Sequence, residues 1–179
     1  GIGTEVCYFV DQVGNTGKVF NLEASPSSFR ILSLHTQKNG LTNVHNANLA
    51  ISNSNEPIWM EEGDNYVVNA VNKDARGVQV EATTLDQFIT DHQLDRIALL
   101  KVNIEGAEYD MMDGMDKTID RIDNVAISCH DFLYGGGTKI QDKVVGYLEK
   151  HGFDIYYEEA GNKVLDSWIY GKRSHLKQP

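Results

Sequence analysis

The sequence predicts an α/β fold: a mostly parallel twisted sheet flanked by helices and finished by a C-terminal antiparallel hairpin. Three observations predict it. Helical and extended patterns alternate along most of the chain, as a parallel sheet with crossover helices requires. The stretch Arg96 to Ile104 is nearly continuous in apolar residues, the pattern of a central strand covered on both faces. Near the end, two extended segments meet across Gly161-Asn162, which suits a hairpin turn.

Each element can be justified in order. Thr4 to Val13 reads as a helix, with Val6, Phe9, Val10 and Val13 at helical spacing. Gly14-Asn15-Thr16-Gly17 is a turn and Lys18 to Glu23 a short strand. Ser25-Pro26 starts a helix, a capping hydroxyl followed by proline, and Asn39-Gly40 ends it. Asn43 to Ile51 reads as the next strand. Ser52 to about Gly77 is polar and irregular, a long connection with one edge strand from Pro57 to Met60. Val78 to Ala82 is extended, and Thr84-Leu85-Asp86 opens a helix that runs to about His92. After the Arg96–Ile104 strand come a helix from Gly106 to Gly114, a strand from Asn124 to Cys129 and a helix from Lys139 to Lys150, ended by His151-Gly152. Phe153 to Glu159 and Lys163 to Tyr170 form the closing pair. Without repeat, linker or low-complexity tract, residues 1–179 read as one domain.

Composition narrows the partners. The chain is 41% hydrophobic and 23% charged, ordinary for a globular protein. Its formal charge of −10 repels phosphate backbones and anionic lipid, so neither nucleic acid nor a membrane is expected as a partner. No apolar run approaches the roughly 20 residues of a membrane span. Two cysteines, Cys7 and Cys129, are too few for a disulfide scaffold and predict buried thiols in a reducing, cytoplasmic setting. The oligomeric state is not legible.

Two motifs carry chemistry. Gly1-Ile2-Gly3-Thr4-Glu5 leads into a helix, where glycines let backbone approach a ligand and the helix N-terminus offers unpaired N–H groups. About twenty residues on, Glu23 ends a strand, the position where an acidic residue accepts hydrogen bonds from ribose hydroxyls; the plainer alternative is a solvated strand end.

The chain resembles the FkbM-type methyltransferases. The match rests on Gly1-Ile2-Gly3-Thr4-Glu5, Glu23-Ala24-Ser25-Pro26, Thr84-Leu85-Asp86, Asn103-Ile104-Glu105-Gly106-Ala107-Glu108, Cys129-His130-Asp131-Phe132 and Tyr170-Gly171-Lys172-Arg173, in family order. The resemblance implies a Rossmann-like class I methyltransferase fold and S-adenosylmethionine as methyl donor. It also implies methylation of a hydroxyl on a sugar, polyketide or other small metabolite. Many members carry aspartate where this chain has Asn103. The family's glycine loop follows a first strand, whereas this chain starts inside the loop, so residues upstream of Gly1 are expected.

Ligands of open α/β sheets bind outside the carboxyl ends of the strands, and the candidates lie there. Gly1, Gly3, Glu23 and Asn103 are expected to hold the cofactor, and the family geometry would set adenine at the strand end by Ala50. His130 is the preferred general base, because an imidazole titrates near working pH; Glu105 is the second candidate. The structural alternatives are a loop histidine that only hydrogen-bonds, and a carboxylate favoured by a helix N-terminus. Glu108 and Asp131 are expected to touch substrate, with the same helix-terminal alternative stronger for Glu108. Asp86 reads as structural. Gly135-Gly136-Gly137 reads as a plain linker or a substrate lid. The spacing of Glu105, His130 and Asp131 matches no standard metal motif, so no metal is expected.

Two other functions compete. A nicotinamide-dependent oxidoreductase would use the same loop and carboxylate, but it calls for a third glycine where this chain reads Gly-Ile-Gly-Thr-Glu-Val, and no Tyr/Lys pair stands out. A non-catalytic S-adenosylmethionine-binding domain is hinted at only by Asn103.

Overall fold

The computed structural model describes residues 2–61, 70–71, 77–134 and 139–174. Gly1 and the Gly135-Gly136-Gly137 loop lie outside the described residues, as does much of the 52–77 connection. The chain divides into two compact units, Gly1–Ile51 with Asn55–Thr83, and Ser52–Ser54 with Thr84–Pro179.

In the first unit, helix α1 (Val6–Val13) stops at Gly14, whose φ of 64° needs glycine and whose N–H donates to Val10 O at 3.1 Å. Strand β1 (Val19–Leu22) follows, then α2 (Pro26–Lys38). Ser25 caps α2 as expected: its Oγ accepts from Ser28 N at 3.2 Å, a device worth about 1 kcal/mol. Strand β2 (Val44–Ala47) lies parallel to β1, with Val19 opposite Val44.

The single strand expected over Asn43–Ile51 is in fact two. After β2, the separate strand β3 (Ala50–Ile51) pairs with a different partner, β7 (Ala82–Thr83), again in parallel. The break falls at Asn48, whose side-chain amide donates to the carbonyls of Glu23 and Ala24 at 2.8 and 2.9 Å. The Leu49 N–H still reaches Glu23 O at 3.2 Å, and the next amide, Ala50 N, turns to Glu81 O at 2.9 Å instead. The expected edge strand is also corrected. Strand β4 (Ile58–Glu61) is the middle strand of an antiparallel sheet, between β5 (Ala70–Val71) and β6 (Val78–Val80). Met60 stands opposite both Val71 and Val78 and is buried; such partners are too distant for local periodicity to reveal.

In the second unit, α3 (Leu85–Asp91) is capped by Thr84, whose Oγ1 accepts from Gln87 N at 3.1 Å. Asp86 is structural: its carboxylate accepts from the N–H groups of Lys117 and Thr118 and from the Thr118 hydroxyl, at 3.1, 2.8 and 2.6 Å. Four strands form one sheet: β8 (Leu100–Val102), β9 (Asn124–Ser128), β10 (Phe153–Tyr157) and β11 (Trp168–Arg173), in the order β10-β11-β9-β8. Strands β8 and β9 are parallel; β11 is antiparallel to both its neighbours.

The nine-residue strand expected over Arg96–Ile104 is much shorter. Only β8 joins the ladder, Ile97 makes a single bridge to Ile122, and Leu99 is 44% exposed. Apolar composition reports a preference for burial, but a ladder also needs a partner, and β9 supplies one only over three residues. The closing hairpin is present, with β11 starting at Trp168 rather than Lys163. Asn162 Oδ1 accepts from the N–H groups of Val164 and Leu165, curling that segment into a turn instead.

Helices α4 (Glu108–Met111) and α5 (Lys139–Lys150) complete the unit. Helix α5 buries Ile140, Val144 and Leu148, one side of an amphipathic helix. Buried Arg173 ties the end of β11 to the carbonyls of Ile119, Ile122 and His151 while its guanidinium lies over the Phe153 ring. Among the described residues, no helix is long and apolar enough to cross a membrane. Cys129 is buried as expected, but Cys7 is exposed, because α1 turns Val6 inward and Cys7 to solvent.

Candidate active site

In the second unit, β8 and β9 run parallel, so their carboxyl ends deliver Asn103 and Cys129-His130 to the same edge of the sheet. The chain leaves β8 through a tight turn in which Glu105 has φ 54° and Gly106 φ 102°. A left-handed glutamate is uncommon and strained by about 1 kcal/mol or more. Something must hold it.

Glu108 does. It is completely enclosed (0% exposed) at the start of α4. Its Oε1 accepts from Ile104 N at 2.9 Å and its Oε2 from Gly106 N at 2.8 Å, so one carboxylate binds the amides on either side of Glu105. Oε1 also meets His130 Nδ1 at 2.7 Å. With the carboxylate serving as acceptor, Nδ1 carries the proton and donates, which leaves Nε2 as the acceptor of the neutral ring. His130 is itself 4% exposed, and its Nε2 faces Glu105 Oε2 at 3.4 Å.

Electrostatics follow from this enclosure. Burial works against the imidazolium, but the Glu108 hydrogen bond and the charges of Glu108 and Glu105 outweigh it, so the His130 pKa rises above its usual 6.5. Burial raises the Glu105 pKa above 4.5; His130 opposes that shift and Glu108 adds to it. The Cys129 thiol is pushed up to about 12 by burial, with Glu108 and Asp131 adding to the shift, so it stays protonated and is no nucleophile.

The other residues singled out from sequence fall in varied places. Glu108, expected to touch substrate, has both oxygens committed inside the protein and positions other groups instead. Asp131, expected to do the same, accepts from the first amides of α5, Ile140 N and Gln141 N, both at 2.9 Å. It acts as a cap supplied from the 3₁₀ turn Asp131–Tyr134, nine residues before Ile140. Asn103 is exposed just beyond β8.

In the first unit, Glu23 follows β1 at the carboxyl end of the β1–β2 pair, half-buried, with Oε1 accepting from Ser25 N at 2.9 Å. Gly3 has φ 92°, a backbone conformation that L side chains rarely adopt, so the turn itself favours glycine; a β-carbon there would also press on Leu32 Cδ1 at 2.9 Å. Ala50 is buried in β3, and its N–H donates to Glu81 O at 2.9 Å. Gly1 lies outside the described residues.

Sequence reasoning missed the joining role of Glu108. The only signal was its place three residues after Glu105, on the turn's far side; its bond to His130 spans 22 residues.

Three comparisons bear on identity. The chain is 32% identical over 72 residues to the AMB antimetabolite synthetase AmbE of Pseudomonas aeruginosa, a match covering 40% of this chain and 3% of that protein. The chain therefore corresponds to a small fraction of that relative's length. Its fold is similar to that of a crystal structure named "putative rRNA-methylase" from Clostridium thermocellum. The TM-score is 0.59 and the identity 10%, with 96% of this chain and 81% of that chain covered. The model of the methyltransferase FkbM domain matches residues 1–155. With most of its length under that match, the chain belongs to the FkbM methyltransferase domain family.

Proposed function

We propose that the chain is an S-adenosylmethionine-dependent methyltransferase of the Rossmann-like class that methylates a hydroxyl on a sugar or other small metabolite. The observation that carries this reading is the Glu108–His130–Glu105 arrangement, an imidazole with one nitrogen committed and the other left to accept a proton, at the carboxyl ends of parallel strands. S-adenosylmethionine, when bound, supplies a methyl group already activated on a sulfonium. The protein's share is then to orient the acceptor and take its proton.

The residues of the first unit fit the cofactor's nucleoside. Glu23 lies at the end of a parallel pair, where such sheets take ligands, and its carboxylate suits ribose hydroxyls. Gly3 and Glu23 would hold the cofactor there. His130 takes the acceptor's proton at Nε2, while Glu105 orients the acceptor hydroxyl.

Similarity to a stretch of an antimetabolite synthetase is in keeping with a small-metabolite acceptor. An RNA acceptor, as the fold neighbour's name would suggest, is disfavoured by the formal charge of −10.

Calorimetry with S-adenosylmethionine and with NAD tests the cofactor: the first is expected to bind and the second not, and the reverse result rejects this reading in favour of an oxidoreductase. Release of S-adenosylhomocysteine across a panel of hydroxylated sugars and metabolites then tests turnover. His130→Ala is expected to slow it by about 10²- to 10⁴-fold. Binding without turnover on any acceptor, unchanged by His130→Ala, would point to a non-catalytic binding domain.

A further inference from the structure

We propose that Glu105 and His130 work as one proton-accepting pair, and that Glu108 is the positioning residue that builds it. The use of the pair on an acceptor hydroxyl rests on the function proposed above; its existence does not.

Three observations lead to it. A single carboxylate, Glu108, binds both the imidazole and the two amides that bracket Glu105, so the ring and the Glu105 turn share one anchor. Glu105 is held at φ 54°, a conformation that glycine would adopt without strain, although its neighbour Gly106 shows that glycine is used in this turn. Backbone strain kept at a residue whose side chain faces the ring points to a task for that side chain there. The two contacts of the ring also differ: 2.7 Å from Nδ1 to Glu108, against 3.4 Å from Nε2 to Glu105. The first is a committed hydrogen bond. The second is too long for a strong one and leaves two acceptors facing each other when the ring is neutral, an arrangement that a proton or an incoming donor stabilises.

The proton balance is simple. An acceptor hydroxyl donates toward Nε2; its O–H bond breaks, the proton joins Nε2, and the electron pair stays on the acceptor oxygen. The new imidazolium then lies between two carboxylates, Glu108 on Nδ1 and Glu105 on Nε2. The groups known to face the ring are these two carboxylates, the Phe132 ring at 5.4 Å and the Ser128 backbone.

The test is a pH titration of ¹⁵N-histidine-labelled full-length chain by NMR, following the His130 ring with neither methyl donor nor acceptor present. In the wild type His130 should titrate above 6.5, and its neutral form should carry the proton on Nδ1. Glu108→Gln should lower the midpoint and erase the Nδ1–H preference, while Glu108→Asp, which keeps the charge, should restore part of both. Glu105→Gln should lower the midpoint and keep the tautomer. Glu105→Gly should also lower it, yet raise the thermal unfolding midpoint by relieving the left-handed strain.

A His130 that titrates alike in wild type and Glu105→Gln, or that carries its neutral proton on Nε2, overturns the proposal. So does a Glu105→Gly chain that is less heat-stable than wild type. Should Glu108→Gln fail to fold, the two Glu105 variants decide the matter. Because no cofactor is needed, failure to bind S-adenosylmethionine would reject the function proposed above without touching this result.

Discussion

Two turns of this molecule use the same local device to different ends. After β1, Glu23 accepts the N–H of Ser25; after β8, Glu108 accepts the N–H groups of Ile104 and Gly106. Each is a carboxylate that satisfies backbone donors left over where a parallel strand gives way to a helix. Glu23 is half-buried. Glu108 is wholly enclosed and carries a third donor, His130 Nδ1. The lesson is that a carboxylate at a strand end is not by itself a ligand group. Enclosure decides it here: Glu108, with three donors on its two oxygens, holds Glu105 and His130 in place.

The sharpest way to break this comparison is to truncate both carboxylates. Glu108→Ala leaves two part-buried amides and the buried His130 Nδ1 without their acceptor and should destabilise the chain by about 3–5 kcal/mol, read by urea unfolding. A loss below about 1 kcal/mol would mean that the two turns are not different in kind. Glu23→Ala should cost only about 0.5–1.5 kcal/mol of stability. Its main effect should instead be on ligand affinity, with S-adenosylmethionine bound roughly ten- to a hundredfold more weakly by calorimetry, as loss of charged hydrogen bonds predicts.

The smallest expected effect is a pH slope. His130 has its pKa raised in the folded chain, so its stabilising contribution is complete below its unfolded value near 6.5 and is lost as pH rises through the higher folded value. Glu105, also raised, has the same sign in a more acidic window that opens at its unfolded value near 4.5. Unfolding free energy should therefore fall with rising pH above 6.5, by at most about 1.4 kcal/mol per pH unit for the one proton on His130. The slope should vanish in His130→Asn; a slope that persists there belongs to other groups.

Much of this was legible in the sequence wherever the physics is local. Ser25-Pro26 and Thr84 mark helix starts because a cap binds an amide only three residues on. Lys139–Lys150 is found with its predicted bounds because Ile140, Val144 and Leu148 repeat at helical spacing. The strands were less legible. Arg96–Ile104 looked like one long buried strand, and Asn43–Ile51 like a single strand, because apolar pattern does not record where a ladder partner ends. The edge strand at Pro57–Met60 became a middle strand for the same reason, since Met60 meets both Val71 and Val78.

By itself, then, the sequence determined the α/β class, most helix boundaries, the family and the set of candidate groups, Glu23, Asn103, Glu105, Glu108, His130 and Asp131. Only the tertiary structure decided their roles. It turned Asp131 into a cap for α5 and Glu108 into an enclosed anchor, and it aimed His130 Nε2 at a left-handed Glu105. The physical reason is distance along the chain. Propensity and capping act over a few residues and are written in local pattern, whereas the roles of Glu108 and Asp131 turn on His130 and Ile140, which reach them from 22 and 9 residues away.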